Sequence, residues 1–377
     1  MTEIQATAPK ETLFTKAFKN LEDPRRTDKG NLLYPIEEVL FLVISASVCG
    51  ANTWTAIELF GKKQLNWLRR YFPYLEGTPS HDVLGNIFSA LDPDQFGKCF
   101  IEWSSSISAQ TKGEVVAIDG KCMRGSYDTA TSKMPIHIVS AFASKNGICL
   151  GQKQTNAKSN EITAIPELLD LLALQGCIVT IDAMGCQKKI TDKIISKGAD
   201  FIIAIKENQG ELLEQAKKMF SIGTPPKYDE SIDAGHGRVE TRRCYVTDDL
   251  RFFDIKKEWG NVKSIAKVES ERFIKVSGKN SKETRYYITS LPADAAKINK
   301  SVRAHWSVEN KLHWNLDVIF GEDLSRKRKG NSAANFNMAS KIALGLLEKE
   351  NSKGLTKPNK RLYAAIDNDY RAKVLGF

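Results

Sequence analysis

VVAIDGK (115–121), CIVTIDAMG (177–185) and RAHWSVENKLHW (303–314) together set the architecture of this chain. The first two are apolar and β-branched, have strand character, and each delivers a single acid, Asp119 and Asp182. The third has helical spacing and carries Glu309. A carboxylate inside an apolar strand is costly unless it is paired or bound to a cation. For Asp182 alone, a turn or helix cap is the plainer role. For Asp119, set within its apolar run, a functional role outweighs a structural one. Two acids in matching settings, with a third on a downstream helix, offer the oxygen ligands that hard divalent cations take.

Between and beyond these runs, PIHIVSAFAS (135–144) and ICLGQKQT (148–155) read as two further strands, with Asn146-Gly147 as the hairpin turn between them. EITAIPELLDLLALQ is an amphipathic helix, and QKKITDKIISK is a second helix closed by Gly198. ADFIIAIK is another strand. The order β-β-β-α-β-α-β predicts an antiparallel meander followed by right-handed crossovers to parallel strands. Asp119 and Asp182 then meet if the first and fourth strands are neighbours. Residues 206–295 alternate differently: RVETRRCYVTDD, SIAKVESERFIKVSG and KETRYYITSL predict a small antiparallel insertion carrying Arg238 and Arg285. The expected class is α/β, a mixed sheet with a β-rich insertion, preceded by an all-helical N-terminal domain. The expected boundaries are 1–110 for the helical domain and 111–205 with 296–350 for the catalytic domain. The insertion takes 206–295, and a basic tail takes 351–377.

The first hundred residues predict short helices. Pro35 opens IEEVLFLVISASV, Asn52 or Thr53 opens a segment broken near Gly61, Ser80 caps HDVLGNIFSAL, and Asp92-Pro93 opens the next. The helix over 80–91 is a candidate for major-groove entry through Ser80, His81 and Asn86, or else one more packing helix. The net charge of +10 over 377 residues is unevenly spread, with a strong basic excess over 324–361 that begins at Arg326-Lys327-Arg328-Lys329. Such an excess suits a polyanion, because neutralised phosphates release counterions. The seven cysteines are scattered without a CxxC pair, which argues against a disulfide framework or zinc site and for a reducing compartment. The start is polar, without a signal peptide, and VLFLVISASV is too short to span a bilayer. The expectation is a soluble cytoplasmic protein with no membrane partner.

On the predicted helix through SVRAHWSVENKLHWNLDVIF, capped by Asn299 or Ser301, His305, Glu309, His313 and Asp317 recur every fourth residue and share a face. Trp306 and Trp314 lie beside that row and suggest a lined cleft, although core packing is the plainer role for both. His305 and His313 flanking Glu309 also admit a zinc reading, which lacks the HExxH form and leaves Asp119 and Asp182 without a role.

AIDGKxxRGS, TIDAMG, IKENQG, HGRxExR, YYITSLP and HWxxENxLHWxLDVxFxED followed by RKGN resemble the DDE transposases of bacterial insertion sequences, in the branch of the H-repeat-associated proteins. With DPRR (Asp23 to Arg26) at one end and the C-terminal basic helix at the other, the resemblance spans nearly the whole chain. It implies a ribonuclease-H-like catalytic domain with Asp119, Asp182 and Glu309 as catalytic and metal-binding triad. It also implies two Mg²⁺ ions per site with Mn²⁺ as a substitute, and insertion-sequence ends and target DNA as partners. A homodimer or larger assembly on paired ends is implied as well. From their places beside these motifs, Lys121, Arg124, Lys206 and Gln209 are candidates to hold a phosphate, with an ordinary surface role equally open for each. Arg238 and Arg303 would add DNA contacts, with Arg326, Arg328 and Lys329 tracking the backbone, and His305, Trp306 and His313 as accessory residues. Related hairpin-forming enzymes carry Tyr, Arg and Lys where this chain has Val302, His305 and Leu316, so a hairpin step is not implied. Three functions are compatible with these features: a transposase, a silent DNA-binding descendant of one, and a nuclease without strand transfer.

Overall fold

The β-branched runs form β1 (Val115–Cys122), β2 (His137–Ala143), β3 (Ile148–Thr155), β4 (Ile178–Ile181) and β5 (Asp200–Ile205). Residues 12–25, 32–108, 112–127, 134–155, 161–222, 226–235, 237–352 and 354–377 are described in this computed structural model. Arg26 of DPRR, His236 of HGRxExR and Lys353 lie outside them. The stretch after β5 adds β6 (Lys227–Gly235), β7 (Arg238–Thr247), β8 (Ser264–Ile274) and β9 (Lys279–Thr289), and all nine strands join one sheet of order β3-β2-β1-β4-β5-β9-β8-β7-β6. β1 pairs parallel with β4 and β4 with β5, while β2 runs antiparallel to β1. The predicted mixed, ribonuclease-H-like sheet is therefore present.

The predicted β-rich insertion differs in two respects. It carries four strands, and β9 pairs antiparallel with β5, so the insertion extends the same sheet. It also opens with a helix, α8 in chain order (Gly210–Met219), whose apolar positions Leu212, Leu213, Ala216 and Met219 are buried. The period-2 pattern further along the chain masks this 3.6-residue spacing.

Side-chain alternation decides which way the acids point. Val116, Ile118, Val179 and Ile181 enter a core with α6 (Glu161–Leu171), α7 (Lys188–Ser196) and α8. Ala117, Ile178 and Thr180 take the opposite face, where α9 (Ala295–His305) packs through Ile298 and Val302. Asp119 and Asp182 come directly after Ile118 and Ile181, so both turn toward α9 and the helical segment beyond it.

The N-terminal helices are α1 (Leu13–Phe18), α2 (Ile36–Val48), α3 (Trp54–Leu68), α4 (His81–Ala90) and α5 (Pro93–Ile107). Thr53, Ser80 and Asp92 cap α3, α4 and α5 as their sequences predict. The predicted break at Gly61 does not occur: α3 runs through it, because Gly61 sits against the Thr78 side chain where a Cβ would collide. These helices share one apolar core with α11 (Ser332–Lys349), which packs along α2 and α4.

The segment 351–377, expected as a basic tail, instead folds into α12 (Lys357–Ile366) and α13 (Asn368–Leu375). Three of its cations, Lys360, Arg361 and Arg371, turn inward, while Lys373 stays exposed. Arg371 is fully buried, donates to the Ala364 and Ala365 carbonyls and to Gln64, and lies over Trp67 at 4.5 Å. Lys341, Lys360 and Arg361 are buried too, so much of the basic excess over 324–361 serves packing. A charge count along a sequence cannot separate such residues from a solvated face.

Glu350 holds this corner together. Burial alone would push its carboxyl up, but Ser352, Tyr370 and Lys373 outweigh it and hold the group at about 2, below the ordinary 4.5. The Tyr370 hydroxyl donates to it over 2.8 Å and Lys373 approaches to 3.0 Å. A depressed folded pKa gives stability that is complete above 4.5 and lost as pH falls toward 2. Glu350→Gln should therefore flatten the decline in melting temperature between pH 5 and pH 2. An unchanged slope in a thermal-melt series would remove Glu350 from this role.

Candidate active site

Ile118 pairs with Ile181 in the parallel β1–β4 ladder, so Asp119, still within β1, and Asp182, directly past the end of β4, come next on one face. The Gly120 amide donates to one Asp119 oxygen over 2.9 Å, and His313 Nδ1 lies 3.4 Å from the other. Asp182 accepts from the Met184 amide over 3.0 Å, capping the 3₁₀ turn Ala183–Gly185. The plainer role for Asp182, a cap, and its place at the cleft thus coexist.

Glu309 arrives by a route that periodicity does not reveal. The helix expected to start at Asn299 or Ser301 starts at Ala295, capped by Asp294; Asn299 and Ser301 are buried inside it. After α9 the chain widens into a π-helix over Val308–His313, where the Trp314 amide donates to the Glu309 carbonyl five residues back, before α10 (Trp314–Val318). Val308 and Leu312 enter the helical core while Glu309 stays exposed to the cleft. Single π-turns inside helices are found mostly at functional sites, because they aim a side chain that regular geometry would turn away.

The predicted row does face the sheet. His305 hydrogen-bonds Thr180 at 2.9 Å, His313 approaches Asp119, and Asp317 pairs with Lys121. Both imidazoles are held neutral. Burial drives His305 down to about 4, and burial with the charges of Lys341 and Lys121 drives His313 to about 3.

Asp119, Asp182, Glu309, His305 and Trp306 line one cleft of about 570 Å³, together with Lys206 and Arg285. Burial, then the neighbouring Asp182 charge, raises Asp119 to about 7; Glu309 and Glu161 add to the effect. Glu309 is also raised by burial, against the opposing charge of Arg285. Crowded carboxylates with a raised pKa have an unmet demand for positive charge, and an oxygen-only donor set suits a hard divalent cation. Among the described residues, the acids whose oxygens lie within 4.8 Å of one another are instead Asp317, Glu322 and Asp323. Lys121 already fills that cluster: its ammonium meets Asp317 and sits 2.8 Å from Glu322.

Lys121, expected to hold a phosphate, therefore has its charge taken up internally. Arg124 is exposed on the turn after β1, and Lys206 is exposed at the cleft. Gln209 donates to the Cys186 carbonyl at 2.8 Å and so braces the Asp182 turn. Arg303 pairs with Asp233 of β6 at 3.0 Å, and Arg238 begins β7. Arg326, Arg328 and Lys329 line a separate groove against α4. Two residues near the acids escaped sequence reasoning as site residues, one lining the cleft and one behind it. Arg285 of β9 lies over Trp306 at 4.7 Å, brought there by the β5–β9 pairing. Glu161, at the start of α6, is buried beside Gly120, where any side chain would run into its carboxylate. The DG step after Ile118 was the available signal for that close approach.

Among the described residues no helix is long and apolar enough to cross a membrane. The family profile described as "Transposase DDE domain" matches residues 110–346, and the one described as "DDE_Tnp_1-associated" matches residues 15–104. YncI of Escherichia coli O157:H7, which carries a provisional transposase name, is 41% identical over 93% of this chain and 92% of its own length. YhhI of Escherichia coli K12, named as an H repeat-associated transposase, is 38% identical over 94% and 95%. A solved piggyBac transposase synaptic complex aligns with TM-score 0.46 and 12% identity, covering 100% of this chain and 84% of that one. The profile over the sheet and π-helix, with relatives matched end to end, places this chain in the DDE transposase family.

Proposed function

We propose that this enzyme binds the ends of an insertion sequence, cleaves there and joins the freed ends to target DNA, using Asp119, Asp182 and Glu309. The observation that carries the reading is the convergence of these three acids on one cleft, with Asp119 raised to about 7 by burial and by Asp182. Asp119, Asp182 and Glu309 would hold divalent cations, Mg²⁺ with Mn²⁺ as substitute, two per site. Bound there, such cations would lower the pKa of water and offset charge on a leaving oxygen.

The remaining steps belong to this chain's residues. In the first reaction water attacks a phosphorus at the element end, the bond to the 3′ oxygen breaks, and a 3′-hydroxyl and a 5′-phosphate are released. In the second, that hydroxyl attacks a target phosphodiester, forming one P–O bond as another breaks and leaving a target 3′-hydroxyl. Lys206 and Arg285, which line the same cleft as the acids, would hold non-bridging phosphate oxygens. His305 and His313, both neutral near pH 7, orient Thr180 and Asp119 without adding charge. Lys121 fixes β1 against α10 by its pairs with Asp317 and Glu322, which keeps Asp119 and the Glu309 helix in register.

The decisive experiment uses purified protein, labelled element-end duplex, Mg²⁺ and a target plasmid. Joined product is expected. Asp119→Asn and Glu309→Gln should each lower cleavage by about 10³-fold or more, since metal-borne stabilisation amounts to several kcal/mol, while end binding persists. Cutting at the normal rate by Asp119→Asn would sink the assignment. Lys121→Met should lower the melting temperature, because two acids lose their ammonium, and leave the salt dependence of DNA binding untouched. A shallower salt slope in that variant would show that Lys121 reaches DNA after all.

A further inference from the structure

The run Arg326-Lys327-Arg328-Lys329-Gly330 takes no part in the cleft. It forms one wall of a separate groove of about 630 Å³, whose other wall is α4 with His81, Asp82, Gly85 and Asn86. This basic segment is built into place. Lys327 turns inward, donates to the Asn52 carbonyl at 2.6 Å and sits over Phe336 at 3.7 Å. Arg328 lies over Tyr127 at 4.7 Å and donates to the Gly125 carbonyl. Gly330 has φ of +49° and touches Ser89 so closely that a Cβ would strike its carbonyl. Asn331 and Asn335 then tie the start of α11 to the Leu91 carbonyl at 3.1 and 2.8 Å. The outcome is a fixed cationic edge: Arg326 and Lys329 are exposed, and Lys329 is steered by Asn86 at 2.6 Å.

We propose that this groove, formed jointly by α4 and the segment 326–330, binds the phosphate backbone of duplex DNA beside the cleavage site. The inference rests on the DNA-acting reading given above and adds a second, metal-independent contact to it. Three observations carry it. Arg326, Arg328 and Lys329 line a groove whose one lining acid is Asp82; His81, held by Glu58 at 2.6 Å, approaches that acid at 3.6 Å. The segment is tied to the strand that carries Asp119: β1 runs on to the turn Arg124–Ser126, and the next residue, Tyr127, lies under Arg328. The groove's aromatic ring, Trp54, is engaged by Phe88, Phe336 and Lys327, so it offers no platform for a splayed base. A surface with cations and no stacking ring reads a backbone, as duplex contacts do, and lacks what single-strand binding needs. The N-terminal helices thereby act as half of a composite site.

The test measures binding of the full-length protein to a labelled duplex of arbitrary sequence, in EDTA, across a salt series. Arg326→Ala with Lys329→Ala should reduce the slope of log Kd against log salt by about 2, near one unit for each phosphate no longer neutralised. Asn86→Asp, on the other wall, should weaken binding as well, because its carboxylate would take up the Lys329 charge. Thermal melts check that each variant is folded. Unchanged affinity and slope in both variants would overturn the proposal, as would equal binding of a single strand through the same residues. The two readings fail separately: loss of slope in a protein that never cleaves keeps the groove and refutes the triad. Normal slopes in groove variants that still cleave do the reverse.

Discussion

Parallel pairing of β1 with β4 brings Asp119, half-buried within β1, next to Asp182, exposed just past the end of β4, and this crowding of like charge is what the surrounding structure answers. Burial is the larger cause of the rise of Asp119 to about 7, and the Asp182 charge is the next. The nearest lysine on the same strand, Lys121, does not relieve it, because Asp317 and Glu322 hold its ammonium. The site is left with oxygen donors and a deficit of positive charge, which is the condition under which a divalent cation binds most favourably.

The same economy of charge explains the long motif around Glu309. Glu309 reaches the cleft, whereas Asp317 and Glu322 serve the lysine that locks β1 to the helix. Asn337 donates to Glu322, extending the network to α11. The π-turn lets Val308 and Leu312 remain in the core while Glu309 faces outward into the cleft, so six residues serve both surfaces.

Helices from both ends of the chain share a single apolar core, with α2 against α11 and Arg371 of α13 buried against Trp67 of α3. This union brings α4 up to the segment 326–330 and makes a groove that neither part holds alone. It also consumes cations: Lys341 donates to Ser140 and Gln152, and Arg361 to the Ser47 carbonyl. A basic composition and a basic surface are different properties, and only some of the excess over 324–361 faces solvent.

Local signals were sufficient for the strands β1 to β5, the hairpin at Asn146-Gly147, the caps Thr53, Ser80 and Asp92, and the places of Asp119 within β1 and Asp182 after β4, because each depends on periodicity or on a turn within a few residues. The row His305, Glu309, His313 and Asp317 was legible as one face for the same reason. What tertiary structure decided are the matters of partner choice. That β9 returns to β5 and carries Arg285 to the cleft depends on pairing across some eighty residues of chain. That Lys121 faces Asp317 and Glu322, that residues 357–375 fold into helices which bury Lys360, Arg361 and Arg371, and that Gly61 is crossed without a break each depend on a distant surface. Such choices are settled by burial and by the cost of an unpaired charge, quantities that exist only once the chain has closed on itself.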